Sequence, residues 1–176
     1  MYISDYALTL IGARLRAAQI AHISTGSSYE LNTYFIKDID KQTIFSVRFI
    51  LALIWSTFAL GIFWVLARVG TFEMAAFETV LGGFVLMELT IHIRHLRNIF
   101  TFRRQKVAGE IAGTIQFSRR YIYWTSAVDL ALFAAFYMIL FLFLGHVFFL
   151  GGALSCAALA VRHRLRVRKE QPLPAV

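Results

Sequence analysis

One segment of this chain carries side chains whose types and spacing could hold a metal ion. Glu88, His92 and His95 are spaced i, i+4 and i+7, which places all three on one face of a helix. A carboxylate and two imidazoles can bind zinc, iron or copper. The motif occurs once, and Arg94 and Arg97 lie beside it, where their charge would repel a cation. We therefore expect that the histidines lie at the membrane interface and that the protein binds no cofactor. The alternative is a transition-metal site in a membrane metalloenzyme.

Charged side chains also interrupt otherwise apolar stretches. Glu88 lies six residues before Arg94, about 9 Å along a helix, and Asp129 lies nine residues after Arg120, about 13 Å. Arg48 stands at the start of another apolar stretch. Charges within a bilayer are costly, so they usually pair, line water or carry out chemistry. We predict that Glu88, Asp129 and Arg48 cluster as an ion pair, a proton relay or part of a pathway.

A second charged set falls at the opposite ends of these stretches. Glu78 lies near Arg68 in sequence, and His146 follows a later apolar stretch. The simplest prediction is that Glu78 pairs with Arg68 or His146. Glu78 and Glu88 are ten residues apart, about 15 Å along one helix and about 80° apart around it, so they could flank one pathway only loosely.

The composition decides which elements must position these groups. Of the 176 residues, 59% are hydrophobic and 16% are charged. A soluble domain usually has about 45–50% apolar and about 25% charged residues. This excludes a disordered chain and an ordinary soluble domain. The single cysteine excludes an internal disulfide framework. No nucleotide-binding loop, hydrolase nucleophile motif or H-E-x-x-H motif occurs, which favours a protein that is not an enzyme.

Four apolar segments predict an all-α integral membrane protein built as a four-helix bundle. The spans are residues 47–67, 72–93, 121–145 and 147–161 within a membrane domain 37–162. The fourth span is short, and a re-entrant segment is the alternative. Residues 1–36 precede the domain and include an amphipathic interfacial helix, residues 94–120 form a basic inner loop, and residues 163–176 form a basic, partly disordered tail.

The lysines and arginines predict the orientation in the membrane. With four spans, every basic residue except Arg68 falls on one side, so both termini are expected on the cytoplasmic side of a plasma or inner membrane. This asymmetry explains the net charge of +8 without nucleic-acid binding. The residues expected to contact anionic lipid headgroups or a partner are Arg94, Arg97, Arg103, Arg104, Lys106, Arg119, Arg120, Arg162, Arg164, Arg166 and Arg168.

Small residues predict where helices approach one another closely. They lie in the second and fourth spans and are Gly82, Gly83, Gly151, Gly152, Ser155, Cys156 and Ala160. A bundle this small has little room for a pathway of its own, so we expect a homo-oligomer that forms an ion or small-solute pathway lined by the acidic residues. The alternative is a scaffold or accessory subunit of a larger membrane complex.

Overall fold

The computed structural model describes residues 2–19, 31–32, 34–70, 73–108 and 117–170, without the side chains of residues 19 and 105–108. These parts of the chain form six helices and no strand. The helices are α1 (Tyr2–Gln19), α2 (Ile36–Asp40), α3 (Val47–Arg68), α4 (Met74–Ala108), α5 (Arg119–Leu144) and α6 (Val147–Val167). The all-α prediction is confirmed for the described residues. The Lys106 side chain and residues 171–176 of the predicted tail lie outside them.

Within the described parts of the chain, three helices are long and apolar enough to cross a membrane, namely α3, α4 and α5. The chain is therefore an integral membrane protein by helix length and composition. α4 has 35 residues and continues well beyond the predicted second span. The apolar spacing of Ile93, Leu96 and Ile99 predicts that the second span continues as a helix into the inner loop 94–120, and α4 does so as far as Ala108.

The turn between α5 and α6 has the predicted position. α5 ends at Gly145, whose φ of 67° is left-handed and suits glycine. His146 follows, and its imidazole accepts a hydrogen bond from the backbone N–H of Phe148 at 3.4 Å. His146 therefore caps the start of α6 and lies in the turn that returns the chain beside α5.

The core lies where α6 packs between α4 and α5. Its buried residues are Leu86, Leu130, Ala134, Tyr137, Ala153, Cys156 and Ala160. The small side chains come mainly from α6 and the large ones from α4 and α5. This division allows α6 to approach both neighbours closely.

Glycines bring the α4 and α6 backbones together. A Cβ atom at Gly82 would overlap the carbonyl oxygen of Phe148, and one at Gly151 would overlap that of Thr79. A Cβ atom at Gly83 would lie 2.5 Å from the Ser155 hydroxyl oxygen. The predicted small residues of the second and fourth spans thus face each other within one chain.

A polar cluster lies inside this core. The Thr90 hydroxyl donates to the Leu86 carbonyl oxygen at 2.9 Å, and the Tyr137 hydroxyl donates to the same oxygen at 3.2 Å. The Thr90 and Tyr137 oxygens are 3.0 Å apart, and the Cys156 sulfur is 3.6 Å from the Thr90 oxygen. Cys156 is therefore a packing residue that also contacts a hydroxyl.

Removing the Tyr137 hydroxyl should weaken this core. Tyr137→Phe is expected to lower the free energy of unfolding by about 1 kcal/mol, because one hydrogen bond is lost and little space is opened. Denaturant unfolding in micelles, followed by helical circular dichroism, measures the change. Tyr121→Phe, at an exposed tyrosine on the same helix, should leave the stability unchanged; an equal loss in both variants would contradict the assignment.

The N-terminal helices form a second, smaller cluster. Tyr6, Leu10 and Ile39 are buried together, and Phe49 of α3 stacks on Tyr6 with ring centroids 4.5 Å apart. Beyond this contact α3 is hardly covered, since none of its residues is buried. One face of α3 is only partly covered and the rest is exposed, so this apolar helix must lie against lipid or another polypeptide.

Candidate functional site

The α1 helix brings a carboxylate to the predicted Glu/His motif of α4. Asp5, Glu88 and His92 each offer one potential ligand atom, and these atoms lie within 4.8 Å of one another. Glu88 is 8% exposed. Its Oε2 atom is buried and has no hydrogen-bond partner among the described residues. A buried polar atom without a partner is rare enough to suggest a missing ligand.

The His92 ring is oriented by its own helix. Its Nδ1 atom lies 2.7 Å from the Glu88 carbonyl oxygen. A carbonyl oxygen can only accept, so Nδ1 carries the proton and Nε2 has a free lone pair in the neutral ring. Nε2 lies 2.8 Å from the exposed Ser4 hydroxyl, which donates to it.

His95 has a different role from the predicted one. The Thr9 hydroxyl donates to the Asp5 carbonyl oxygen at 3.0 Å, so it must accept from Nε2 of His95, which lies 3.1 Å away. The same Nε2 atom is 3.4 Å from Oδ1 of Asp5. His95 therefore donates its Nε2–H group to Thr9 and lies close to Asp5, and this nitrogen has no lone pair for a metal.

Asp129 pairs with the arginines of α4. It accepts two hydrogen bonds from Arg97, at 3.1 and 2.8 Å, and Oδ2 lies 3.5 Å from Nε of Arg94. Glu88 lies on the α1-facing side of α4 instead. The predicted cluster of Glu88, Asp129 and Arg48 is therefore not assembled, because Arg48 donates to the Tyr34 carbonyl oxygen at 3.1 Å.

A cavity of about 610 Å³ joins these groups. Asp5, Glu88, His95 and Asp129 all line it. The other polar and charged lining residues include Arg16, Arg94, Arg97, Asn98, Thr101, Thr125, Arg162, His163 and Arg166. The apolar lining residues include Phe49, Phe84, Met87, Ile91, Phe102, Ile122 and Leu159. This volume is in the range that holds small molecules.

The lining changes character along α4. Phe84, Met87 and Ile91 line one part of the cavity, and Arg94 and Arg97 follow them. The distance from residue 84 to residue 97 is about 20 Å along the helix. Along α4 the lining near Phe84 is therefore mainly apolar, apart from Glu88, and the arginines follow from Arg94 onward, with Phe102 beyond them.

Arg166 of α6 is fixed at the basic end. It donates to the Leu31 carbonyl oxygen at 3.2 Å and to the Tyr123 hydroxyl at 2.9 Å, and its guanidinium lies over the Tyr123 ring. His163 shares a hydrogen bond of 2.7 Å with Ser126. His163 lies beyond the uncharged segment 147–161. Burial, together with the positive charges of nearby arginines, lowers the pKa of His163 to about 4, so the ring is neutral at pH 7.

The remaining predicted residues lie apart from the cavity. The Arg68 guanidinium lies over the Trp64 ring, 5.6 Å from its centroid. Among the described residues, Glu78 forms no ion pair with Arg68 or His146, so that pairing is not present. Arg119 lies 6.0 Å from the Tyr123 ring centroid. Among the other arginines predicted to contact headgroups or a partner, those with exposed side chains are Arg103, Arg104, Arg120, Arg164 and Arg168.

No family model, curated protein or solved structure matches this chain.

Sequence reasoning missed Asp5 and Thr9. Both residues lie in the predicted N-terminal helix, one turn apart, and only the packing of α1 against α4 brings them to the histidines. A polar pair at i and i+4 beside buried Tyr6 and Leu10 is the one signal that could have pointed to this face.

Proposed function

We propose that this protein is a four-span membrane protein that binds an amphiphilic anion in its cavity, as the binding step of a small-solute pathway. Both termini and the basic end of the cavity face the cytoplasm in this proposal, and the membrane is a plasma or inner membrane. The change from an apolar to a basic lining along α4 carries the proposal.

The packing of α6 supports the fourth span. α6 contacts both α4 and α5 extensively, and its uncharged part, residues 147–161, is about 22 Å long. A helix that follows a tight turn and packs along two spanning helices returns across the same layer. Arg162 and the basic residues after it then lie on the same side as Arg94 and Arg97.

The charges of the lining favour an anion over a cation. Five arginines and three carboxylates line the cavity, and His163 adds no charge at pH 7. Arginine binds phosphate and carboxylate groups through parallel hydrogen bonds. The apolar end would receive the hydrocarbon part of the same molecule. This revises the acid-lined pathway expected from the sequence, since Glu88 and Asp129 line a cavity in which arginines predominate.

A soluble single-chain phosphate can test the proposal. We expect purified protein to bind dodecyl phosphate in titration calorimetry and to bind dodecyl alcohol at least tenfold more weakly, because the arginines recognise the headgroup. Arg166→Gln should weaken dodecyl phosphate binding about tenfold, because one charge-assisted hydrogen bond to the phosphate is lost.

Arg168→Gln is the matched control, because Arg168 is exposed and follows α6 outside the cavity lining. Binding that responds equally to both substitutions would indicate general surface attraction. Equal affinity for the phosphate and the alcohol would also contradict the proposal.

The uncovered α3 helix supports a second candidate function. α3 is apolar, has no buried residue and includes exposed Trp55 and Phe58, which stack edge to face. This favours an accessory subunit of a larger complex, or a homo-oligomer, in which another polypeptide covers α3. Native mass spectrometry after gentle extraction separates these cases, because foreign subunits would identify an accessory protein and copies of one mass a homo-oligomer.

A further inference from the structure

We propose that Asp5, Glu88 and His92 bind a divalent transition-metal ion where α1 packs against α4. The three potential ligand atoms lie within 4.8 Å of one another. Ligand atoms bound to one Zn²⁺ ion are roughly 3–4 Å apart, so side-chain shifts of roughly 1–2 Å complete the site. Two carboxylates with one imidazole suit Zn²⁺, Mn²⁺ or Fe²⁺.

The state of Glu88 is the independent sign that a ligand belongs here. Its side chain is 8% exposed, and the buried Oε2 atom has no hydrogen-bond partner among the described residues. A buried carboxylate oxygen loses its hydration and needs a donor, a proton or a cation in return. A metal ion bound also by Asp5 would supply that charge to both carboxylates together.

The His92 imidazole is oriented by a hydrogen bond from its other ring nitrogen, as is usual for histidines that bind metals. His92 donates Nδ1–H to the Glu88 carbonyl oxygen at 2.7 Å, which fixes the ring and leaves the Nε2 lone pair available. The Ser4 hydroxyl that donates to Nε2 is exposed and can rotate away. His95 completes an outer layer, because its Nε2 atom lies 3.4 Å from Oδ1 of Asp5.

The arginines of α4 are paired with a carboxylate of another helix. Arg94 and Arg97 project from a different face of the helix and contact Asp129 of α5, with Arg97 held by two hydrogen bonds. The face toward α1 carries Glu88, His92 and His95. The objection that the sequence raises against a metal is therefore weakened by the way the helix is packed.

Metal binding by the tag-free full chain in detergent tests the proposal. After chelator treatment and dialysis, equilibrium dialysis against Zn²⁺ with metal analysis should find one ion per chain. Glu88→Gln and His92→Gln should each weaken binding at least tenfold, because each removes a ligand. His95→Gln should weaken it less, up to about tenfold, as expected for a residue outside the ligand set.

Glu78→Gln is the matched control, a carboxylate on the same helix outside the cluster, and it should bind Zn²⁺ like the unaltered protein. Because Glu88→Gln could disturb folding, two further measurements are needed. His92 is only partly buried, so its variant should keep the helix packing. Zn²⁺ should also raise the thermal unfolding temperature of the unaltered protein, and at the same concentration raise that of His92→Gln by less.

No Zn²⁺ or Mn²⁺ binding by the unaltered chain would overturn the proposal, as would binding that survives both Glu88→Gln and His92→Gln. Binding that falls equally in Glu78→Gln would assign the ion to nonspecific surface carboxylates and overturn it too. A confirmed site would meet the first requirement of the metalloenzyme alternative.

Discussion

Replacing Gly151 by alanine should lower the free energy of unfolding by about 3 kcal/mol, at the upper end of the usual cost of overpacking. The added Cβ atom would overlap the Thr79 carbonyl oxygen and lie 2.8 Å from the Gly83 backbone nitrogen. Both are backbone atoms of α4, so no side-chain rotation can relieve the overlap and the two helices must separate. Denaturant unfolding in micelles, followed by helical circular dichroism, measures the loss.

Two other glycines provide graded controls. At Gly152 the new Cβ atom would meet the Leu86 side chain, whose Cδ1 atom can rotate away but whose Cβ atom, 2.7 Å distant, cannot. Gly152→Ala should therefore also lower stability, but less than Gly151→Ala, where the close atoms are all backbone. Gly61 in α3 has nothing within 4 Å of its added Cβ atom. Gly61→Ala should therefore leave stability unchanged or raise it by up to about 1 kcal/mol, from helix propensity alone. Similar effects in all three variants would contradict the close packing of α4 on α6.

The sequence predicts this contact better than it predicts the polar site, for a physical reason. Helix formation and close packing depend on local patterns, such as Gly151 and Gly152 in α6 and Gly82 and Gly83 in α4. The spacing of Glu88, His92 and His95 likewise fixes that they share one face of α4. These relations follow from positions within one or two helices.

The neighbour of that face cannot be read from spacing. Asp5 reaches Glu88 because α1 packs on α4, and Asp129 reaches Arg97 because α5 lies on another side. Both contacts join residues far apart in the chain, and for Asp129 the sequence offers only an expected depth in the membrane. The expected depths place Asp129 near Glu88. In the structure, Arg94 and Arg97 of α4 contact Asp129 of α5, whereas Glu88 lies on the side of α4 that faces α1.

Asp129→Asn should change stability and ligand affinity in opposite directions. Asp129 is one-fifth exposed and receives two hydrogen bonds from Arg97, at 3.1 and 2.8 Å. Its replacement should lower the free energy of unfolding by about 2 kcal/mol, between the values for exposed and buried pairs. It should also raise the affinity for dodecyl phosphate about tenfold, since Arg94 and Arg97 lose the carboxylate that competes with the ligand.

A double-mutant cycle separates the ion pair from other effects. Asp129→Asn, Arg97→Gln and the double variant should give a coupling energy of about 1–2 kcal/mol in unfolding. Glu78→Gln removes a carboxylate of α4 outside the cavity lining. It should change neither the coupling energy between Asp129 and Arg97 nor the affinity for dodecyl phosphate. If Asp129→Asn lowers the affinity for dodecyl phosphate, the carboxylate itself orients the ligand and the proposed competition is wrong. If Asp129→Asn also leaves the flux of solute through liposomes unchanged, Asp129 is not part of an acid-lined pathway. If the ion pair only joined α4 to α5, Asp129→Asn would lower the free energy of unfolding without raising the affinity for dodecyl phosphate. A loss of stability together with a gain of affinity therefore indicates an anion site.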